Sequence, residues 1–164
     1  YKINLKMKKL LILLIFTTLG CSDNTNPKTL CYDLIEDLGK LSLNEKLFTG
    51  SCYTVYPGTE DKDEIRSYKK GIMHGVWSKY YPNGNINYTG KAKNGEINGY
   101  YKYYRADGIL AEEGRMRLGH KDKVWKYYDL VGNLEKKERY KDQFLIDETY
   151  TNPKIQKYVD ENKK

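Results

Sequence analysis

Gly75-Val76-Trp77-Ser78-Lys79-Tyr80-Tyr81-Pro82-Asn83-Gly84-Asn85-Ile86 is a run of aromatic and β-branched residues closed by Pro-Asn-Gly-Asn. Such a run reads as a β-strand, and its closing Asn and Gly tolerate the positive φ of a tight hairpin. The chain returns through Tyr88 and Gly90 to Gly95, and the same composition then begins again. Trp77, Tyr101 and Trp125 stand 24 residues apart, as do Tyr80, Tyr104 and Tyr128. The glycines Gly71, Gly95 and Gly119 keep that interval, and so do Gly84, Gly108 and Gly132. Lys69, Lys93, Arg117 and Lys141 follow it too, with Gly90 and Gly114, and with Gly75 and Gly99, whose third counterpart is Lys123. Self-similarity at a fixed period marks a tandem array. Each unit is a hairpin, and because a lone hairpin is marginal in water, the units must stack. The predicted fold is all-β: an elongated, single-layer antiparallel meander of tandem hairpins, each 24 residues long.

Side chains alternate along a strand, so Trp77 and Tyr80 face opposite sides of the sheet. Both faces are therefore expected to carry a ladder of rings, Trp77, Tyr101 and Trp125 on one and Tyr80, Tyr104 and Tyr128 on the other. The chain has 17 Tyr against 3 Phe and 2 Trp. A flat ring with a polar tip suits a half-exposed sheet better than a dry core. Copies 75–98, 99–122 and 123–146 are regular. Copy 50–74 is degenerate and reads as carrying an insertion, Thr59-Glu60-Asp61-Lys62-Asp63-Glu64, at its turn.

The pattern Gly-x-Trp-x-x-Tyr-Tyr-x-x-Gly at this period resembles the variant MORN repeat found in YwqK-type antitoxin-like proteins. Phe48-Thr49-Gly50 resembles the entry to such arrays, and the resemblance runs from about Phe48 to Phe144. It implies an elongated sheet that mediates binding, to proteins or to membrane lipids, and it does not imply catalysis.

Upstream, Met7-Lys8-Lys9 precedes the apolar run Leu10 to Phe16 and then Thr18-Leu19-Gly20-Cys21. A positive start, a short apolar stretch and small residues read as a secretory signal, and the stretch falls short of the roughly 20 residues a membrane span needs. It resembles a bacterial lipoprotein signal, although Thr18 departs from the usual aliphatic. The resemblance implies cleavage before Cys21 and lipidation of that cysteine. Tyr1 to Lys6 are read as lying upstream of a natural start at Met7. Residues 1–20 are thus set aside as upstream residues and signal, and 21–29 are a polar tether. The sheet domain with an N-terminal cap occupies 30–150, with a turn of the cap near Asp37-Leu38-Gly39 and a last strand over Phe144–Tyr150. Residues 151–164 are a polar tail, helical or disordered.

The formal charge of +7 falls to +3 once the signal is set aside, because that segment holds four lysines and no acids. This weakens any case for nucleic acid. Between Arg66 and Lys141 there are 17 basic and 8 acidic residues. Lys69, Lys93, Arg117 and Lys141 precede successive linking turns, so they are expected in one row along a margin of the sheet. That row suits an anionic partner, or it only keeps the sheet soluble. Cys31 and Cys52 either pair, as an oxidising compartment favours, or remain as buried thiols. His74 and His120 fall in linking turns at different places in the repeat, with no ligand partners at set spacing. Asp61-Lys62-Asp63-Glu64 lacks the Gly and distal Glu of a calcium loop and reads as a solvated turn. No catalytic residues, cofactor, metal or small-molecule substrate are expected. The expected function is that of a non-enzymatic, lipid-anchored envelope protein, at the outer membrane because Ser22 replaces an inner-membrane Asp signal, whose sheet binds a protein or anionic lipid. The alternative is an antitoxin-like component binding a partner protein, which export of the chain opposes.

Overall fold

The computed structural model describes residues 29–162. Cys21, the signal-like segment and all but the last residue of the tether lie outside the described residues. The elements are β1 (Thr29–Leu30), a single 3-10 turn (Cys31–Asp33), β2 (Ile35–Asp37), β3 (Lys40–Leu43), β4 (Lys46–Leu47), β5 (Gly50–Val55) and β6 (Lys62–Lys69). They continue with β7 (Ile72–Tyr80), β8 (Ile86–Lys93), β9 (Glu96–Tyr104), β10 (Leu110–Arg117), β11 (His120–Tyr128), β12 (Leu134–Lys141), β13 (Phe144–Tyr150) and α1 (Pro153–Asn162). Strands β5 to β13 pair in chain order in one open antiparallel sheet, and β1 joins β5 in parallel at the other edge. The fold is the all-β meander that the repeat implies.

The hairpin tips fold for local reasons. The side-chain oxygen of Asn83 accepts from the N–H of Asn85, and that of Asp107 from Ile109, each fixing the turn through its own backbone. In the third copy Val131 stands in that place, and Asp129 takes over from two residues earlier, accepting from both Val131 and Asn133 N–H.

One face is built on a row of rings. Trp77 and Tyr101 lie 6.4 Å apart by ring centroid, Tyr101 and Trp125 5.6 Å, with Tyr88 filling in 4.6 Å from Trp77. These residues sit on alternate strands, about 10 Å apart at the backbone, so contact requires each ring to lean across the strand between. That strand presents glycine: Gly90 opposes Trp77 and Tyr101, and Gly114 opposes Tyr101. A Cβ on Gly114 would lie 2.5 and 2.6 Å from Trp125 Cε2 and Cγ, and one on Gly90 2.9 Å from Trp77 Nε1. The glycines are where the rings lie. Trp125 is buried to 1% exposure and its indole donates to Arg115 O.

The second ring ladder does not stack. Tyr80, Tyr104 and Tyr128 pair with Ile86, Leu110 and Leu134, so branched aliphatic side chains separate the tyrosines where the first face has glycine. They are held by polar contacts instead. The Tyr128 hydroxyl donates to Glu113 Oε1, while the carbonyls of Tyr80 and Tyr104 accept from the hydroxyls of Tyr56 and Tyr81.

Copy 50–74 carries one extra residue at its turn rather than a six-residue insertion: six residues separate paired Val55 and Lys62, where five separate Tyr80 and Ile86. Each hairpin leaves one residue unpaired at a bulge, Asp63, Asn87, Ala111 and Glu135, and these are spaced by the same 24 residues. That turn is closed by Tyr56 N–H to Asp61 O, one residue wider than the Tyr81 N–H to Asn85 O closure of the next copy. Lys62, Asp63 and Glu64 accordingly belong to β6, and Glu64 is buried against Arg66 rather than solvated. His74 likewise lies within β7, not in a turn, and His120 opens β11.

A second bulge recurs near the start of β7, β9 and β11, at Gly75 (φ +113°), Gly99 (φ +138°) and Lys123 (φ +61°). Bulges of this kind increase local twist. Lys123 adopts a left-handed conformation that costs a side-chain-bearing residue about 1 kcal/mol or more. Lys123→Gly should therefore stabilise the protein by about 0.5–1 kcal/mol, a little being returned to the freer unfolded chain. A thermal melt checks it: an unchanged or lower Tm contradicts the strain.

The ends are closed differently. Cys31 and Cys52 form a disulfide with Cα atoms 5.0 Å apart, which ties the 3-10 turn to β5. The small sheet β2-β3-β4, turning at Leu38 and Gly39, docks on the linking turn through Leu41 N–H to Gly71 O and Gly71 N–H to Phe48 O. At the far edge, α1 is capped by Asn152 Oδ1 accepting from Lys154 N–H, with Pro153 first in the helix. Gln156 Oε1 then accepts from Tyr150 N–H at 2.6 Å, occupying an edge donor of β13. A bulge at Ile146 and the charges of Asp147 and Glu148 further discourage strand addition there.

Candidate functional site

The two faces of the sheet differ in what they leave unmet. On the ring face, the polar groups around Trp125 are turned on one another, while the buried Trp77 Nε1 has no hydrogen-bond partner. Glu138, buried, accepts from Lys136 Nζ (2.6 Å) and from the hydroxyls of Tyr127 and Tyr140. Lys121 lies 4.3 Å from the Trp125 ring centroid and donates to Tyr127 Oη. Burial works against the Glu138 carboxylate, yet three hydrogen bonds and the Lys136 charge outweigh it and hold its pKa below the ordinary value. Glu113, on the other face, follows the same balance: burial raises its pKa, while Tyr128, Lys126 and Lys102 lower it further. A depressed carboxylate contributes stability that is complete above its unfolded pKa, about 4.3, and that is lost as pH falls through the folded value. The stability advantage of wild type over Glu138→Gln should thus be present at neutral pH and shrink below about pH 4. Paired melts at the two pH values measure it; a constant difference contradicts the linkage.

The opposite face is open and basic. Val76, Tyr100 and Val124 each precede a ring-ladder residue and so point the other way; they are 44%, 39% and 44% exposed. Their cross-strand partners are Lys91, Arg115 and Arg139. Across six neighbouring strands the order is Val76, Lys91, Tyr100, Arg115, Val124, Arg139: a strict alternation of apolar residue and exposed cation. The Lys91 ammonium lies 5.6 Å from the Tyr100 ring centroid. Arg115 has an ion pair with Asp122 at 3.8 Å, on the weak side of contact. Tyr100, Lys102, Arg115, Val124 and Lys126 line one shallow groove, which continues past Val124 and Lys126 to Lys137 and Arg139. Glu113 holds Lys102 and Lys126 at 3.4 and 3.1 Å.

The four cations singled out from sequence belong to this same face. Lys69, Lys93, Arg117 and Lys141 end β6, β8, β10 and β12 at one margin, all exposed. Lys93, Arg117 and Lys141 lie two residues beyond Lys91, Arg115 and Arg139 on the same strands, and therefore on the same side. The expected row is one line of a lattice, with cations about 7 Å apart along strands and about 10 Å apart across them. Sequence reading missed the inner line, although positions 76, 100 and 124, and 91, 115 and 139, carry it at the repeat interval. Of the six ring positions, Trp77, Tyr101 and Trp125 form the interior of the ring face, while Tyr80, Tyr104 and Tyr128 lie on the side of the basic face, Tyr128 bonded to Glu113. Among the described residues no group of three or more His, Cys, Asp or Glu is placed to hold a metal ion, and no helix is long and apolar enough to cross a membrane.

Compared with protein-family models and with curated proteins, the chain matches none. Among solved structures, the crystal structure of accessory secretory protein 1, 2 and 3 in Streptococcus pneumoniae is similar over 73% of this chain and 21% of that one, at 18% identity. The TM-score is 0.23, too low a likeness to bear on fold or function.

Proposed function

We propose that this protein is a non-enzymatic binding module of the bacterial cell envelope, anchored through lipidated Cys21 and engaging its partner with the basic face of a MORN-like repeat sheet. The observation that carries the binding half is the exposed alternation of Val76, Tyr100 and Val124 with Lys91, Arg115 and Arg139. Exposed apolar residues inside a cationic lattice offer contact area together with long-range attraction for an anionic partner. The ring face, by contrast, pairs its buried charges internally, Glu138 with Lys136 and Glu64 with Arg66, and serves stability. The anchoring half rests on the apolar run before Gly20-Cys21.

Two measurements test the two halves. Expressed from its own sequence, the wild type should partition with membranes and incorporate labelled palmitate, and Cys21→Ser should do neither; equal behaviour of the two removes the anchor. A photo-reactive residue at Val124 should give an adduct in intact cells, and one at Tyr158 on α1 should not. Adducts at both, or at neither, remove the basic face as the binding surface.

A further inference from the structure

We propose that the basic face binds a linear anionic polysaccharide, laid across the strands with sugar rings over Val76, Tyr100 and Val124 and anionic groups between Lys91, Arg115 and Arg139. This rests on the reading of that face as the binding surface and names its ligand class. Three properties of the face select among polyanions. First, the apolar residues are mostly short and the cations long, and Val124 lines a shallow groove with Lys102, Arg115, Lys126, Lys137 and Arg139, alongside the acids Glu113 and Asp147. A bilayer receives apolar side chains that project beyond the charges, as Trp, Phe or Leu do from an interfacial surface; here two of the three apolar residues are valines, shorter than the Lys and Arg side chains that flank them. A thin polymer fits between them.

Second, the line runs perpendicular to the strands, whose backbone groups are already paired on both sides from β6 to β12. An extended acidic peptide lying there would find no main-chain partners for its own N–H and C=O groups, which is why peptides join sheets at edges. The free edge of β13 is blocked at Tyr150 by Gln156. A glycan carries hydroxyls that remain in water on its outer side and an apolar ring face that covers a tyrosine or a valine. Third, the cations of the inner line recur at every second strand, about 10 Å. That interval suits a polymer with one anionic sugar in two rather than one with a charge on every unit. Single-stranded nucleic acid is charged more densely and is held by successive aromatic platforms, whereas the inner line has Tyr100 alone between two valines.

The full 164-residue chain, in detergent micelles, is to be titrated with hyaluronan, which carries one carboxylate per disaccharide. Dextran, poly-glutamate, oligo-thymidylate and phosphatidylglycerol vesicles are run in parallel. Hyaluronan should bind and be released by salt as screening shortens the reach of the exposed charges, and uncharged dextran should not bind. The combined variant Lys91→Gln, Arg115→Gln, Arg139→Gln should lose about tenfold in affinity, the sum of three exposed ion contacts. Tyr100→Ala should lose roughly fivefold through its ring alone. Lys157→Gln on α1 should bind as wild type. Melts of each variant verify that the sheet is intact; should the triple variant melt early, the single change Arg139→Gln with the salt dependence of wild type decides. Absence of hyaluronan binding, equal binding by the triple variant, or tighter binding of poly-glutamate, oligo-thymidylate or vesicles overturns the proposal. If hyaluronan fails while the Val124 cross-link persists in cells, the glycan is wrong and the binding face stands; if both fail, the face itself is wrong.

Discussion

Gly114→Ala is expected to destabilise the protein far beyond the usual cost of one methyl group, and to do so only while Trp125 is present. The added Cβ would fall 2.5 Å from the indole Cε2, a distance no packed structure accepts, so the most buried ring of the sheet must shift. Overpacking of this kind costs about 1–3 kcal/mol or more. Trp125→Ala by itself should cost about 3–5 kcal/mol, because it empties a fully buried site at the end of the ring row and leaves Lys121 without the face it covers. In the double variant the alanine methyl occupies space the indole has vacated, so the combined loss should be smaller than the sum of the two. Tyr158→Ala, an exposed ring on α1, is the control, within about 0.5 kcal/mol. Urea melts of the four proteins and wild type complete the cycle. Strict additivity would mean that the ring does not lie over the glycine.

Opening the Cys31–Cys52 disulfide should cost about 3 kcal/mol, as expected for a cross-link closing a loop of this length. For a chain of this size that is a drop in Tm on the order of 10 °C. Cys52 is fully buried at the base of β5, and Cys31 belongs to the turn that begins the cap. The cap keeps its hydrogen bonds with the Gly71 turn, Leu41 N–H donating to Gly71 O and Phe48 O accepting from Gly71 N–H, so the sheet should remain folded while the melt moves down. Calorimetry with and without reductant measures the shift, and Cys31→Ser should melt low in both conditions. A wild type indifferent to reductant would contradict the bond. A non-reducing peptide map should show Cys31 joined to Cys52 and not to Cys21.

Much of this architecture is written in the chain itself. A 24-residue period, strands of alternating aromatic residues and turns of Asn, Asp and Gly determine hairpins and their order, because each depends on local backbone preference and on neighbours close in sequence. The boundaries of the last strand, Phe144–Tyr150, and the turn of the cap at Leu38 and Gly39 follow from the same local signals. The margin cations could be placed for that reason too: a residue that precedes each linking turn must end a strand.

What the period alone leaves undecided is what lies between equivalent positions. Trp77, Tyr101 and Trp125 touch, whereas Tyr80, Tyr104 and Tyr128 do not, and the difference rests on cross-strand partners. Those partners are Gly90 and Gly114 on one face and Ile86, Leu110 and Leu134 on the other, set by register rather than by spacing. Register also turned the acidic run of the first copy from a loop into part of β6, burying Glu64 beside Arg66. The pairing of Val76, Tyr100 and Val124 with Lys91, Arg115 and Arg139 arose in the same way. Each set is visible as a repeat in sequence, but only the pairing of strands, with its bulges at Gly75, Gly99 and Lys123, puts the two sets in one line on one face. A bulge changes which residue stands opposite which, and a cross-strand neighbour is a tertiary fact even when the strand is not.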